Sequence, residues 1–274
     1  MSTVRELAFG SRNSTGEWAA FSWDDTVHGP QTKGELVVIR NGGTSGSISS
    51  GLWRTGKDMP GCNPDSTCDV VYSAPLGDET MLILEGSCHV TVKSTGKVHH
   101  FTAGSILSHP KYLDITWHSD GPFLKKFWTI FDSPLPGTKG DDFYTGHIND
   151  NPEKWTPFTW EEPGQPAQSA GEMNLVRETG STGTLKVGVW RTGRDMPGCK
   201  PDGSVTFDYS APLGDETIMI LEGLVTVVER ESGKTHEFKG GDIVALPSGL
   251  PITWTSQAPF VKAFFVLTNG DKVS

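Results

Sequence analysis

An all-β chain built as two tandem jelly-roll barrels is what this sequence predicts, on three observations. The nine residues YSAPLGDET stand at 72–80 and return unchanged at 209–217. Sliding the chain by 137 positions aligns residues 18–131 without a gap, and between 51–86 and 188–223, 25 of 36 positions are identical. No stretch keeps a helical apolar period for three turns, whereas short apolar or alternating runs recur between turn residues. A unit of 137 residues that occurs only twice means two equivalent domains and not a solenoid.

Within the first unit the strand-like runs follow in order as GELVVIR, GSISSGLWR, ETMLILEG, HVTVKS, KVHHFTAG, SILSHP, LDITWH and FLKKFWTIF. Pro-Gly, Thr-Gly-Lys, Ala-Gly and Asp-Gly-Pro punctuate them, as turn chemistry requires. WRTGKDMPGC reads as a strand running into a Pro-Gly turn. About eight short strands per unit close most simply as a double-sheet jelly roll, a double-stranded β-helix. Residues 132–151, rich in Pro, Gly and Asp, form the expected linker, giving domains 1–137 and 138–274.

Composition narrows the function. The chain carries 23 basic and 33 acidic residues, net −10, which argues against a nucleic-acid partner. Four cysteines, Cys62, Cys68, Cys88 and Cys199, are spaced too unevenly for a disulfide framework and are read as reduced thiols of a cytoplasmic protein. No apolar run is long enough to cross a bilayer, and the N-terminus lacks a signal-peptide pattern, so no membrane partner is expected. The expected partner is a small molecule, with the protein itself a monomer or homodimer.

Glu79, six residues, then Gly86, followed by Gly104, five residues and Pro110, resembles the two sequence motifs of the cupins; Glu216, Gly223, Gly241, Pro247 and Gly249 repeat it. The chain thus resembles a bicupin of the RmlC-like superfamily. Trp117, Trp254, Lys125 and Lys262 make it most similar to the branch containing ureidoglycine aminohydrolase and the ethanolamine-utilisation cupin. The resemblance implies inward-facing Glu79 and Glu216. It also places Tyr72, Ala74 and Ile115, and Tyr209, Ala211 and Ile252, where metal-binding cupins have histidines. One ligand of four survives in each barrel, so no metal and no cofactor are expected.

The candidate catalytic residues are therefore Glu79, Glu216, Tyr72 and Tyr209. A carboxylate in an apolar lumen has its pKa raised, which suits general acid or base work. Trp117 and Trp254 would line the ligand site, and Arg54, Arg191, Lys125 and Lys262 could hold an anionic group. A structural reading stands beside this one: the glutamates cap amides or pair with a cation, and the aromatics fill the core. His109 and His118 could join Glu79 in an atypical metal site of the first barrel. His99 and His236 read as solvent-facing, and Cys62 and Cys199 as small buried residues.

Three functions remain open: a metal-independent isomerase, lyase or hydrolase acting on a small polar metabolite; a ligand-binding bicupin without catalysis; and a metalloenzyme with atypical ligands. The second barrel, whose motif keeps Pro-x-Gly at residues 247–249, is expected to matter more than the first. The barrels are expected to pack face to face through the strand faces bearing the WxxFxW segments at Trp18 and Trp155.

Overall fold

The computed structural model describes residues 6–137 and 143–272. The domain boundary at 137/138 abuts residues 138–142, which lie outside the described residues. Among the described residues there is no helix, and 22 strands form two seven-stranded and two four-stranded sheets. Each barrel pairs one large sheet with one small sheet around its own core.

In the first barrel the large sheet is built around β4 (Ser47–Gly56), β6 (Asp78–Glu85), β9 (Ser105–His109) and β11 (Phe123–Asp132). The small sheet contains β5 (Cys68–Tyr72), β7 (Ser87–Val92), β8 (Lys97–Thr102) and β10 (Ile115–Ser119). In β6 the residues Met81 to Leu84 form a continuous apolar run because both faces are covered. One face lines the lumen and the other meets the second barrel. Leu52, Leu82, Ile106 and Phe127 pack there against Val187, Met219, Phe264 and Val266. Phe127 and Phe264 meet edge to face at 6.0 Å. Strands of the small sheet such as β7, with one wet face, alternate instead.

The barrels do pack face to face, and of the WxxFxW segments only the leading Trp18 and Trp155 reach the interface, packing at its margin. Phe21 and Trp23, on the outermost strand β2 (Ala19–Asp25), turn inward and join the first barrel's core, and Trp18 stacks on Arg54. The inner strands form most of the interface, since they have a second apolar face to bury.

The sheets also do not respect the sequence boundary. Strand β1 (Ala8–Ser11) of the first repeat pairs with β20 (Asp242–Leu246) of the second barrel. Its counterpart β12 (Tyr144–His147) pairs with β9 of the first. Each repeat lends its first strand to the other barrel, so part of the segment read as a linker is a strand.

A second reciprocal link is ionic. Arg177 reaches Asp78 at 2.9 Å, and Arg40 reaches Asp215 at 2.9 Å, all four side chains being buried. Asp78 also accepts from the amides of Lys111 and Ser181, as Asp215 does from those of Ser248 and Thr44. Every partner in one set lies 137 residues from its equivalent in the other.

Candidate functional site

The repeated nonapeptide divides its side chains between several tasks. Ser73 holds Asp25 through its amide and hydroxyl, both at 2.8 Å, and Ser210 holds Glu162 in the same way. Those hydrogen bonds, from Ser73 and from the amides of Val27 and His28, hold the Asp25 carboxyl well below its ordinary range although burial pushes it up. Gly77 and Gly214 turn the chain at φ +148° and +150°, where a Cβ would strike a backbone carbonyl. One residue later, strand alternation sends Asp78 and Asp215 towards the opposite barrel and Glu79 and Glu216 into the lumen.

In the first lumen, Glu79, Tyr72, Trp117, Trp53, Trp128 and Lys126 surround a cavity of about 40 Å³. The Lys126 ammonium lies 3.5 Å from Glu79 Oε1, with the ring centres of Trp117 and Trp53 at 4.4 and 4.7 Å. Burial pushes this lysine below its ordinary range, and Glu79 opposes the shift. His109 is the direct cross-strand neighbour of Glu79, its Nε2 3.9 Å from Oε2. Burial lowers this imidazole too, against Glu79. Burial and then Glu79 hold the Tyr72 phenol well above its usual range. The Tyr72 hydroxyl, His109 Nε2 and Trp128 Nε1 are buried without a hydrogen-bond partner.

The second lumen keeps the glutamate, tyrosine and tryptophans around a cavity of about 50 Å³ but not the other polar groups. Position 263 holds Ala where the first barrel has Lys126, and position 246 holds Leu where it has His109. Tyr209 donates its hydroxyl hydrogen to Glu216. Burial raises Glu216 to about 7, with Asp215 adding to it and Tyr209 and Arg40 opposing.

Glu79, Glu216, Tyr72, Tyr209, Trp117 and Trp254 all line a lumen. The four cations named from sequence do not. Arg54 makes two hydrogen bonds to Glu35 and stacks on Trp18, while Arg191 does the same with Glu172 and Trp155. Lys125 lies 3.6 Å from Glu85, and Lys262 sits across from Arg191 and Glu222. Their inward neighbours are Trp53, Trp190, Lys126 and Ala263, so period two carries the four to the outer face. The lumenal lysine is Lys126, one residue beyond the position chosen from sequence. Its signal was the alternation of FLKKFWTIF counted back from Trp128 and Ile130.

His118 does not join His109 and Glu79: it faces outward and pairs with Asp69 at 2.6 Å. His99 and His236 are only partly exposed, His99 tilted against Phe143 and His236 stacked on Phe238. Cys62 and Cys199 are half-buried, and all four cysteines are free.

A divalent metal fits neither lumen. The first offers one carboxylate and one imidazole, with an ammonium 3.5 Å from the carboxylate, and the second offers one carboxylate already bonded to a phenol. Three or four donors are the norm for such an ion. Among the described residues no cluster of three or more His, Cys, Asp or Glu side chains is placed to hold one.

The EutQ-like cupin domain family matches residues 68–128 and 202–264. No curated protein sequence matches the chain. Among solved structures, a protein of unknown function from Pseudomonas syringae pv. tomato is similar, with TM-score 0.65 and 17% identity, over 96% of this chain and 100% of that one. Ylba from E. coli gives TM-score 0.60 and 9% identity over 100% and 95% of the two chains. A variant of Bacillus subtilis oxalate decarboxylase, an enzyme with Mn(II) centres, gives TM-score 0.55 and 12% identity over 98% and 79%. At these identities the likeness is one of fold. Two matched cupin domains, two jelly-roll barrels and neighbours that span the whole length make this chain a bicupin of the RmlC-like cupin superfamily.

Proposed function

We propose that the chain is an enzyme whose N-terminal lumen transfers protons on a small polar metabolite, without a metal, through Glu79, His109 and Lys126. The observation that supports this reading most is the convergence of a carboxylate, an ammonium and an unpartnered phenol on one small cavity, with a buried imidazole behind the carboxylate. The C-terminal lumen lacks the ammonium and the imidazole and has closed its phenol onto its carboxylate. That second lumen suits a binding or supporting role. The sequence alone favoured the second barrel; the polar groups favour the first.

The tautomer of His109 supports a base. Its Nδ1 lies 3.3 Å from the carbonyl oxygen of Pro110, an acceptor, which assigns the hydrogen to Nδ1 and leaves a lone pair on Nε2 facing Glu79. Lys126 neutralises the glutamate, while Tyr72 and Trp128 keep free donors for a substrate oxygen. Such a set moves a proton between adjacent substrate atoms while the aromatic walls exclude water.

The test begins by screening short hydroxy, oxo, amino and ureido acids and sugars for turnover by NMR. With the substrate found, Glu79→Gln should lower kcat by roughly 10²- to 10⁴-fold with little change in KM. Glu216→Gln should leave kcat within about threefold. Unchanged turnover in Glu79→Gln would return this carboxylate to a structural role, and equal losses in both variants would spread the chemistry over both barrels.

A further inference from the structure

We propose that Lys126 is a nucleophile: its amine condenses with a short-chain aldehyde or 2-oxo acid to form an imine in the N-terminal lumen. The inference rests on the acid–base reading of the same site and names its substrate class.

The duplication supplies the first support. Position 263 performs the fold's task at the equivalent place with an alanine methyl, so nothing in the architecture demands an amine at 126. An ammonium buried among Trp53, Trp117 and Met81 is held at an energetic disadvantage, since desolvation opposes the charge. Desolvation in an apolar pocket is also how a lysine becomes an effective nucleophile near neutral pH, and burial does push this one down. Placement is the second support. Nζ lies 3.5 Å from Glu79, whose other oxygen lies 3.9 Å from His109 Nε2, so the carboxylate bridges the amine to a proton acceptor. The unpartnered Tyr72 hydroxyl and Trp128 Nε1 match the oxygens of a carbonyl or of a neighbouring carboxylate. A cavity of about 40 Å³ suits a short-chain substrate.

The step balances without a further reactant. Lys126 first passes its extra proton to Glu79; the Nζ lone pair so freed attacks the carbonyl carbon, and a C–N bond forms as the C–O π pair moves to oxygen. That oxygen takes a proton from the Glu79 carboxyl, and the amine gives one through the Glu79 carboxylate to His109 Nε2. The nitrogen lone pair of the resulting carbinolamine then forms the C=N bond as the C–O bond breaks, and the leaving hydroxyl takes the proton from His109 by the same route and departs as water. The iminium returns its N–H proton to Glu79. One carbonyl and one amine have become one imine and one water.

The test treats the full chain with pyruvate or acetaldehyde in the presence of sodium cyanoborohydride, which reduces an imine to a stable secondary amine. Intact-mass measurement should show one adduct per chain, which for pyruvate is the mass of the acid less one oxygen, and peptide mapping should place it on Lys126. Lys126→Ala and Lys126→Arg should abolish it, and Lys125→Ala should keep it. His109→Leu, which installs the second barrel's residue, should slow trapping by about 10²-fold. If the Lys126 variants do not fold, the map of the unaltered protein still decides. Adducts confined to other amines, or none at all, overturn the proposal. The trapping is read independently of turnover. No adduct together with a lowered kcat in Glu79→Gln removes the imine and spares the acid–base reading; an adduct with unchanged kcat in that variant does the reverse.

Discussion

The two barrels agree at their interface and differ in the polar chemistry of their lumens. Across the interface they are near copies: Arg40 and Asp215 mirror Arg177 and Asp78, and β1 and β12 cross over reciprocally. Inside, both keep the tyrosine, the glutamate and two tryptophans, but only the first adds Lys126 and His109. Each barrel is therefore a control for the other. A residue kept twice is consistent with a need of the fold, whereas a buried charge present once is tolerated by the fold without being required by it. Burying Lys126 and His109 disfavours their charged forms, and no equivalent group in the second barrel shows a structural use for them.

If the interface is symmetric in energy as well as in geometry, removing either arginine should have the same large effect. Arg177→Ala strands the Asp78 carboxylate, and Arg40→Ala strands that of Asp215. Breaking a buried pair from one side costs about 3–5 kcal/mol. Urea unfolding of the two variants should show losses in this range that agree to within about 1 kcal/mol. A loss at only one arginine would break the symmetry and locate the interface's strength in a single latch.

Much of this design was legible in the sequence, but not all of it. The duplication and the strand-rich fold rest on a repeat and on turn punctuation that can be counted, and the inward turn of Glu79 and Glu216 on the resemblance to the cupin motifs. Lys126 was missed because the strand offers two adjacent lysines, and a β-bulge between Lys125 and Lys126 blurs which one faces in. His109 was noticed, but its placement beside Glu79 depends on the register between β6 and β9, which no local pattern encodes. The exchanged strands were hidden for a related reason. AFGS and YTGH are four residues each, without an apolar run, and take their strand form from an edge in the other half of the chain. Arg40 and Arg177 are repeated at the offset that joins Asp78 to Asp215, a signal available to a reader who asks which charges the duplication kept.

The lumens should also answer pH with opposite sign. Glu216 is raised to about 7 in the folded state from an ordinary value of 4.5. An acid so shifted binds more protons when folded, so between these values stability falls as pH rises, by up to about 3 kcal/mol over the whole window. His109 is lowered from 6.5 by burial. Below that value the unfolded chain binds more protons, so its contribution is present above about pH 6.5 and is lost as pH falls. Glu216→Gln should flatten the decline measured by urea unfolding between about pH 5 and pH 7, while His109→Leu should flatten the loss on the acid side. A Glu216→Gln variant that keeps the full decline would mean that this carboxyl titrates normally and that the second lumen is wetter than its aromatic lining implies.

The smallest effect concerns the outer sheets, where the barrels differ in charge but should hardly differ in energy. Asp69 and His118 pair across β5 and β10 at 2.6 Å, and at the equivalent positions Thr206 and Thr255 share a hydrogen bond of 3.1 Å. The Asp69 side chain is 67% exposed, so solvent screens the pair. The hydrogen bond from His118 leads the effects that lower its carboxyl, against the opposing pull of burial. The folded value is depressed, so the pair's stabilisation is present above the ordinary aspartate range and is lost as pH falls through the folded value. A double-mutant cycle with Asp69→Thr and His118→Thr, which installs the second barrel's pair, should give a coupling of about 0.2–1 kcal/mol that shrinks as salt is added. A coupling well above that, insensitive to salt, would place a real asymmetry on the outer face and weaken the inference that the first barrel departs from the second for the sake of its lumen.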